Sequence, residues 1–170
     1  MNNSGYIHYE IQDGGPVKQY KTTMKSKIGY LEIVGTEDAV TGVNFVDEKK
    51  TADTKLPPCI RECRVQLDEY FKGERKKFSV DLVLEGTHFQ KKVWKELMKI
   101  PYAGTVSYKD VAAAINNEKG VRAVGGAVGR NNFSIIIPCH RVIGSDGSLT
   151  GFGGGLWRKE WLLKHESRHS

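Results

Sequence analysis

The sequence is poor in cysteine and has no long apolar run. Its three cysteines are Cys59, Cys63 and Cys139, and so small and odd a number argues against the disulfide framework of a small secreted domain. No run of about 18 apolar residues is present, so the sequence predicts no membrane span. The N-terminal residues lack the charged and then apolar layout of a secretory signal peptide. We therefore expect a cytoplasmic protein that does not associate with membranes.

The cysteines also give little reason to expect a metal. Cys59 and Cys63 are four residues apart in a stretch that reads as a helix, so they could share an ion. However, no second pair of ligands with suitable spacing lies near them. Structural thiols are the preferred interpretation, and the sequence predicts neither a metal nor a cofactor.

Composition and charge describe an ordinary globular chain with a basic bias. Apolar residues make up 39% of the 170 residues and charged residues 27%, which excludes disordered and fibrous classes. The net charge is +6. A polyanionic partner and a merely solvated basic surface explain that charge equally well.

The first half of the chain predicts a small antiparallel sheet and one helix. Apolar-rich runs at 20–24, 29–34 and 40–46 are separated by turn-like residues and read as strands. Pro57 and Pro58 open a helix that Gly73 ends. Residues 78–84 predict a fourth strand. The apolar face of the helix is expected to contain Ile60, Val65, Leu67, Tyr70 and Phe71.

The second half predicts helices. Thr87 is expected to cap a helix that ends at Leu97, and Ser107, with Asp110 in the capping-box position, is expected to cap another over 108–115. A third follows over 121–129, so that two short helices joined by a tight turn form a helix-turn-helix. A last helix covers 156–165, and its apolar residues are Leu156, Trp161, Leu162 and Leu163. The apolar side of the first helix is predicted to contain Phe89, Val93, Trp94, Leu97 and Met98.

These elements predict two domains. The fold class is an α/β N-terminal domain over residues 1–85, followed by a mainly α C-terminal domain over residues 86–170 with a helix-turn-helix. No internal repeat or low-complexity tract interrupts them.

The most informative stretch surrounds Cys139. The apolar residues 135–137 lead the chain inward, Pro138 fixes the backbone, and His140 and Arg141 follow the cysteine at once. Cationic neighbours lower the pKa of a thiol and increase the fraction of nucleophilic thiolate. These neighbours alone favour a packed cysteine beside a surface histidine, with a reactive cysteine as the alternative.

Two glycine-rich stretches flank this cysteine in sequence. The predicted helix at 121–129 contains three glycines, each of which costs about 1 kcal/mol relative to alanine. Tight helix packing and close approach to a nucleic-acid groove explain them equally well. Arg122 is a long cation on this helix that could fill the gap left by an extruded base. Residues 150–155 form a glycine-rich loop that lacks the ending of a phosphate-binding loop.

Together these motifs resemble the O6-alkylguanine-DNA alkyltransferases. The resemblance runs in order from about Phe89 to Glu166, and its cysteine motif is highly specific. It implies a ribonuclease-H-like N-terminal domain and a winged helix-turn-helix-like C-terminal domain. The matching strings are VSYKDVA at 106–112, RAVGGAVGRN at 122–131, IPCHRVIG at 137–144, TGFGGG at 150–155 and LWRKEWLLKHE at 156–166.

The resemblance implies five residues in the chemistry. Cys139 is the alkyl acceptor, His140 the base that acts on it through a water molecule, and Glu166 the acid that orients the histidine. Asn131 is a hinge between the recognition helix and the cysteine loop. Tyr108 forms a hydrogen bond to the guanine as it leaves.

The resemblance also implies two sets of binding residues. The base would be held by Val142, Phe152, Gly153 and Gly154. Val142 and Gly153 would contact it through backbone groups. Phe152 stands where many members have tyrosine, and Gly153 lacks the side chain found in some members. DNA would be contacted by Arg122, Lys109, Val121, Ala123, Gly125 and Ser145.

The implied function is repair of double-stranded DNA containing O6-alkylguanine, with O4-alkylthymine as a further candidate lesion. The target base must be flipped out of the duplex. The product is a thioether, which is not a leaving group, so each protein molecule would react once. The protein is expected to be a monomer. The main alternative is a non-catalytic alkyltransferase-like lesion sensor, which usually lacks the cysteine. A helix-turn-helix regulator and a cysteine hydrolase are further alternatives.

Overall fold

The computed structural model describes residues 17–170, which divide into two compact units, 17–85 and 86–170. The predicted N-terminal domain begins at residue 1, so its first 16 residues lie outside the described part. In residues 17–170 no helix has the length and apolar character needed to cross a membrane.

The first unit contains a three-stranded antiparallel meander. Strands β1 (Tyr20–Ser26), β2 (Gly29–Gly35) and β3 (Val40–Val46) lie in the order β1-β2-β3. The register pairs Met24 with Leu31 and Leu31 with Phe45. Both Met24 and Leu31 are buried. The three predicted strands are confirmed to within two residues.

Helix α1 (Pro58–Phe71) packs against this sheet. Pro57 and Pro58 begin it, and Gly73, with φ of 78°, follows its end as predicted. The placement of Val65 on the apolar face was wrong, because this side chain is 50% exposed. The buried positions recur at three- and four-residue intervals from Ile60, and Val65 falls outside that stripe. They are Ile60, Cys63, Gln66, Leu67, Tyr70 and Phe71.

The strand predicted over residues 78–84 does not form. A single parallel bridge links Val40 to Leu82, supported by hydrogen bonds from Val40 N to Asp81 O (2.9 Å) and from Val83 N to Val40 O (2.9 Å). The apolar side chains of this segment are nevertheless buried. Burial without a continuous ladder therefore explains the strand-like pattern.

The second unit is mainly helical. Its order begins with α2 (His88–Leu97), β4 (Val106–Ser107) and α3 (Tyr108–Ala114). It continues with α4 (Val121–Gly129), β5 (Val142–Ile143) and α5 (Leu156–Arg168), and β4 pairs with β5 in parallel.

Both predicted helix caps are confirmed as capping boxes. The Thr87 hydroxyl accepts from Gln90 N (3.1 Å), and the Gln90 side chain accepts from Thr87 N (3.0 Å). Ser107 and Asp110 repeat this arrangement at the start of α3, with distances of 3.0 and 2.7 Å. Each box satisfies two N–H groups that the helix cannot satisfy itself.

Helices α3 and α4 pack against each other, and α2 packs against α4. The Trp94 indole donates to Ala127 O (2.9 Å) and fixes α2 to α4. A 3-10 turn at Glu118–Gly120 joins α3 to α4, which gives the predicted helix-turn-helix. The predicted fold class, a small antiparallel sheet with a helix followed by a helical unit, is confirmed.

Helix α5 differs from its prediction in what it buries. It continues to Arg168, and of its four predicted apolar residues only Leu162 is buried. Leu156 is exposed, and Trp161 and Leu163 are half-buried. The helix instead buries Lys159, His165 and Glu166. Buried charges need partners, and the partners of Lys159 and Glu166 lie around Cys139.

Candidate active site

The chain enters the site through a buried apolar segment. Ile135, Ile136 and Ile137 are all buried, as predicted, and Ile135 has a positive φ of 74° that turns the chain before the cysteine. A 3-10 turn at Cys139–Arg141 follows, with Cys139 N donating to Ile137 O (2.7 Å). The turn leads directly into β5, so the cysteine is held between a buried segment and a strand.

The surroundings of Cys139 differ from those that the sequence predicts. The residue is buried, and burial raises the pKa of its thiol above the ordinary range. A hydrogen bond with the Asn131 side chain and the positive charge of Lys159 act in the opposite direction but do not outweigh burial. The expectation of a lowered pKa was therefore wrong, although the backbone N–H of His140 does act in that direction. The resting group is a protonated thiol that needs a base.

His140 is held by Glu166 inside the unit. Its Nε2 lies 2.7 Å from Glu166 Oε1, and both side chains are fully buried. Burial lowers the pKa of His140, against the effect of Glu166, so the ring is neutral near pH 7. Because an ionised carboxylate accepts hydrogen bonds, Nε2 carries the proton. Nδ1 is then an acceptor.

The Nδ1 atom of His140 is buried and has no hydrogen-bond partner among residues 17–170. Buried polar atoms are normally hydrogen-bonded. An unsatisfied acceptor on the neutral imidazole of the residue that follows Cys139 is suited to taking up a proton.

Arg141 is the permanent positive partner of Glu166. It donates from Nε to Oε2 (2.9 Å) and from Nη2 to Oε1 (2.9 Å), a bidentate pair. Its Nη1 donates to Ile100 O (2.7 Å), and Glu166 Oε2 also accepts from Ala103 N (3.1 Å). Burial by itself raises the pKa of Glu166, but the hydrogen bonds and charges of its partners hold it well below the ordinary range.

Asn131 connects the end of α4 to the cysteine segment. Its Nδ2 donates to Ile137 O (2.9 Å) and to Phe133 O (3.3 Å), and its Oδ1 accepts from Phe133 N (2.9 Å). The side chain therefore fixes the backbone immediately before Cys139. The hinge role that the resemblance implies for Asn131 stays a prediction.

Lys159 is a site residue that the sequence reasoning missed. It is fully buried, and its Nζ donates to Val142 O (2.6 Å), Thr150 O (2.9 Å) and Gly151 O (3.4 Å). Burial lowers its pKa, and the nearby Cys139 opposes this. One ammonium thus joins the strand after the cysteine to the glycine-rich loop. The sequence signal was a lysine one turn before Leu162 and Leu163.

Tyr108 and the glycine-rich loop lie together. The Tyr108 hydroxyl donates to Thr150 O (2.9 Å), and Lys159 Nζ is 5.8 Å from the centre of its ring. Within the loop, Phe152 and Gly154 are half-buried and Gly153 is exposed. A Cβ built at Gly153 would have no atom within 4 Å, so space is open beside the loop. Val142, the fourth predicted base-binding residue, is buried in β5.

Five of the six predicted DNA-contacting residues lie on α3 and α4, and the sixth, Ser145, follows β5. Lys109, Arg122, Ala123 and Ser145 are exposed, and Val121 and Gly125 are half-buried. Ser145 lies in the turn that closes with a bond from Gly147 N to Gly144 O (2.9 Å).

Two of the three glycines of α4 are not explained by tight helix packing. A Cβ built at Gly129 would have no atom within 4 Å, and one at Gly125 would make an ordinary contact with the Tyr108 ring at 3.9 Å. Alanine therefore fits at both positions. Nothing in the protein packs closely against these two positions, so their lack of a side chain favours the other interpretation, close approach to a nucleic-acid groove.

Charge is unequally divided between the two units. Residues 86–170 contain 13 Lys and Arg and 6 Asp and Glu, a net charge of +7, whereas residues 1–85 contain 13 and 14, a net charge of −1. The excess of positive charge, which would favour binding to a polyanion, therefore belongs to the unit with the helix-turn-helix. In residues 17–170 no group of three or more His, Cys, Asp or Glu side chains could hold a metal.

Two family models match the chain, one for each unit. Residues 19–84 match the model described as "6-O-methylguanine DNA methyltransferase, ribonuclease-like domain". Residues 88–168 match "6-O-methylguanine DNA methyltransferase, DNA binding domain".

Several proteins of known family are similar to this chain over most of its length. The constitutive methylated-DNA–protein-cysteine methyltransferase of Bacillus subtilis is 46% identical over 86% of this chain and 94% of its own. That of Methanosarcina acetivorans is 45% identical over 86% and 97%. The structure of the Mycobacterium tuberculosis O6-methylguanine methyltransferase is 40% identical, covers 90% of this chain and 95% of its own, and has a TM-score of 0.82. A structure of the same enzyme in complex with DNA has a TM-score of 0.80, with 42% identity over 88% and 94%.

Proposed function

The chain belongs to the 6-O-methylguanine DNA methyltransferase family, and from that premise we propose that it repairs DNA by moving an alkyl group from guanine O6 to Cys139. Membership confirms the resemblance that the sequence carries. The observation that carries the proposal is the buried set of Cys139, His140 and Glu166 in the unit that matches the DNA-binding domain model.

The proposed reaction is a single displacement. The Cys139 sulfur attacks the alkyl carbon, a sulfur–carbon bond forms, and the bond between that carbon and guanine O6 breaks. His140 Nδ1 takes the thiol proton through a water molecule, because Nε2 is engaged with Glu166 and burial disfavours spontaneous ionisation of the thiol. Glu166, paired with Arg141, stabilises the imidazolium that forms.

The leaving guanine needs a hydrogen-bond donor as negative charge develops on it. We assign this role to Tyr108, whose hydroxyl exchanges Thr150 O for the base when the pocket is occupied. Val142, Phe152, Gly153 and Gly154 hold the base. Lys159 keeps the strand and the loop that carry them in place.

The protein acts once. A thioether does not leave again, and the other two cysteines belong to the other unit, so this unit holds no second thiol that could take the methyl group from Cys139. The protein is therefore consumed with each lesion.

DNA binds to the basic unit through the helix-turn-helix. Gly125, Val121 and Ala123 let α4 approach the groove, and Arg122 replaces the flipped nucleotide in the stack. Lys109 and Ser145 contact the backbone, which makes binding salt-dependent. We assign residues 1–85 and 86–170 as the two domains, and a monomer in the cytoplasm as the working form.

The proposal is tested by following O6-methylguanine in a duplex oligonucleotide mixed with increasing amounts of protein. We expect one lesion to be removed per protein molecule, with no further loss over time. Cys139→Ser should remove none, whereas the matched variants Cys59→Ser and Cys63→Ser should keep full stoichiometry. Removal of several lesions per molecule would contradict the one-turnover mechanism. Binding without removal would favour the lesion-sensing alternative.

A further inference from the structure

The glycine-rich loop, residues 150–155, is attached to the protein at two places. At its first end, Thr150 O accepts from both Tyr108 and Lys159, and Gly151 O accepts from Lys159. Gly151 has a positive φ of 55° there. A fully buried ammonium thus fixes this end firmly.

The second attachment is made by a different side chain. Arg158 Nη1 donates to Gly154 O (2.7 Å). Within the loop, Gly155 N donates to Phe152 O (2.8 Å), so Phe152 and Gly153 form the part between the two attachments. The position of that part depends on how well Gly154 is held.

Trp157 supports the arginine. The Arg158 guanidinium carbon lies 4.7 Å from the centre of the Trp157 ring, a cation–π arrangement. The ring also lies against Gly155, since a Cβ there would be 3.2 Å from it. The Trp157 side chain is 57% exposed, so it contributes little to the core. It contacts the arginine and the loop.

We propose that Trp157 and Arg158 are positioning residues that fix the second end of the glycine-rich loop and thereby restrict the pocket to small alkyl groups. This inference rests on the proposed function. The space beside Gly153 is open, and the attachment at Gly154 opposes an outward movement of the loop that would admit a larger group. Trp157 restricts Arg158 to the orientation in which it reaches Gly154 O.

Loss of this attachment should affect small and large substrates differently. For a methyl group, the backbone at Gly153 must already be in place, so a looser loop slows transfer. A benzyl group displaces the loop in any case, so its transfer is slowed less. Removal of one hydrogen bond of ordinary strength corresponds to about a fivefold change.

The test compares single-turnover rate constants for O6-methylguanine and O6-benzylguanine in the same duplex. In Trp157→Ala and Arg158→Ala we expect the benzyl-to-methyl ratio to rise about fivefold. Trp157→Phe, which keeps an aromatic ring, should restore the ratio toward that of the unmodified protein. Leu156→Ala is the matched control, because it removes an exposed apolar side chain from the same first turn of α5.

Three results would overturn the inference. An unchanged ratio in both alanine variants would show that the attachment does not shape the pocket. The same change in Leu156→Ala would indicate a general effect of the helix start. Weaker binding to undamaged duplex with an unchanged ratio would make Trp157 a DNA contact instead. If the unmodified protein transfers neither group, the proposed function fails, and that outcome is distinct from all three.

Discussion

Replacement of Glu166 by glutamine should strongly destabilise the second unit. The carboxylate accepts two hydrogen bonds from Arg141 and others from Ala103 N and His140. A glutamine amide that faces His140 with its oxygen places its NH2 group against two donors, Arg141 Nε and Ala103 N. It also leaves the Arg141 guanidinium buried without a counter-charge.

The expected loss is large. Removing one partner of a buried ion pair costs roughly 3–5 kcal/mol, because the other charge remains desolvated. Urea unfolding followed by tryptophan fluorescence measures this loss directly. All three tryptophans, Trp94, Trp157 and Trp161, lie in the second unit, so the signal reports on that unit.

The control is Glu160→Gln on the same helix. Glu160 pairs with Lys164 at 2.8 Å, but both side chains are more than half exposed. We expect its loss to stay below about 0.5 kcal/mol. Losses of similar size in the two variants would refute the argument that the buried network stabilises the site.

The pH dependence gives a second test of the same network. The pKa of Glu166 is far below its ordinary value of 4.5, so its stabilising contribution is complete above that value and is lost as the pH falls through the folded-state pKa. The unmodified protein should therefore lose stability below pH 4.5 more steeply than Glu166→Gln. Parallel acid curves for the two proteins would contradict the assignment.

Three further predictions follow from the site. Asn131→Ala should slow methyl transfer at least about tenfold, because the backbone before Cys139 loses the hydrogen bond that holds it. The control Asn132→Ala, at the exposed neighbouring residue, should change the transfer rate less than about twofold. Gly125→Ala should stabilise the free protein by up to about 1 kcal/mol and weaken DNA binding, because the added Cβ fits the fold but faces the partner; unchanged binding would return α4 to a purely structural role. Since burial lowers the pKa of His140 from its ordinary 6.5, the neutral base persists into mild acid, and the single-turnover rate should not fall until the pH is below 6.5; a fall that begins near pH 8 would rule out this base.

Local signals in the sequence predict the helices of this protein well. The caps at Thr87 and Ser107 depend on side chains three residues away, so both can be read from the chain directly. The strand over residues 78–84 could not be predicted correctly. Its apolar pattern is real, but only the segment around Leu82 finds a partner strand, and pairing is set by distant residues.

For the candidate site, too, local features could be predicted from the sequence and contacts between distant residues could not. The reactive motif at Cys139 stands out in sequence, and its family resemblance is confirmed, while the individual residue roles remain predictions. The electrostatics could not be inferred from neighbours in sequence. Arg141 turns to Glu166, which is 25 residues away, and the cation that acts on the thiol is Lys159. Such contacts arise only when α5 packs against the cysteine turn.

The most direct test of the account is the mass of the protein after reaction with a duplex that carries O6-methylguanine, followed by mapping of the modified peptide. The account predicts a gain of one methyl group, confined to the peptide that contains Cys139 and saturating at one per molecule. A methyl group on Cys59 or Cys63, or no gain while the lesion remains tightly bound, would contradict it.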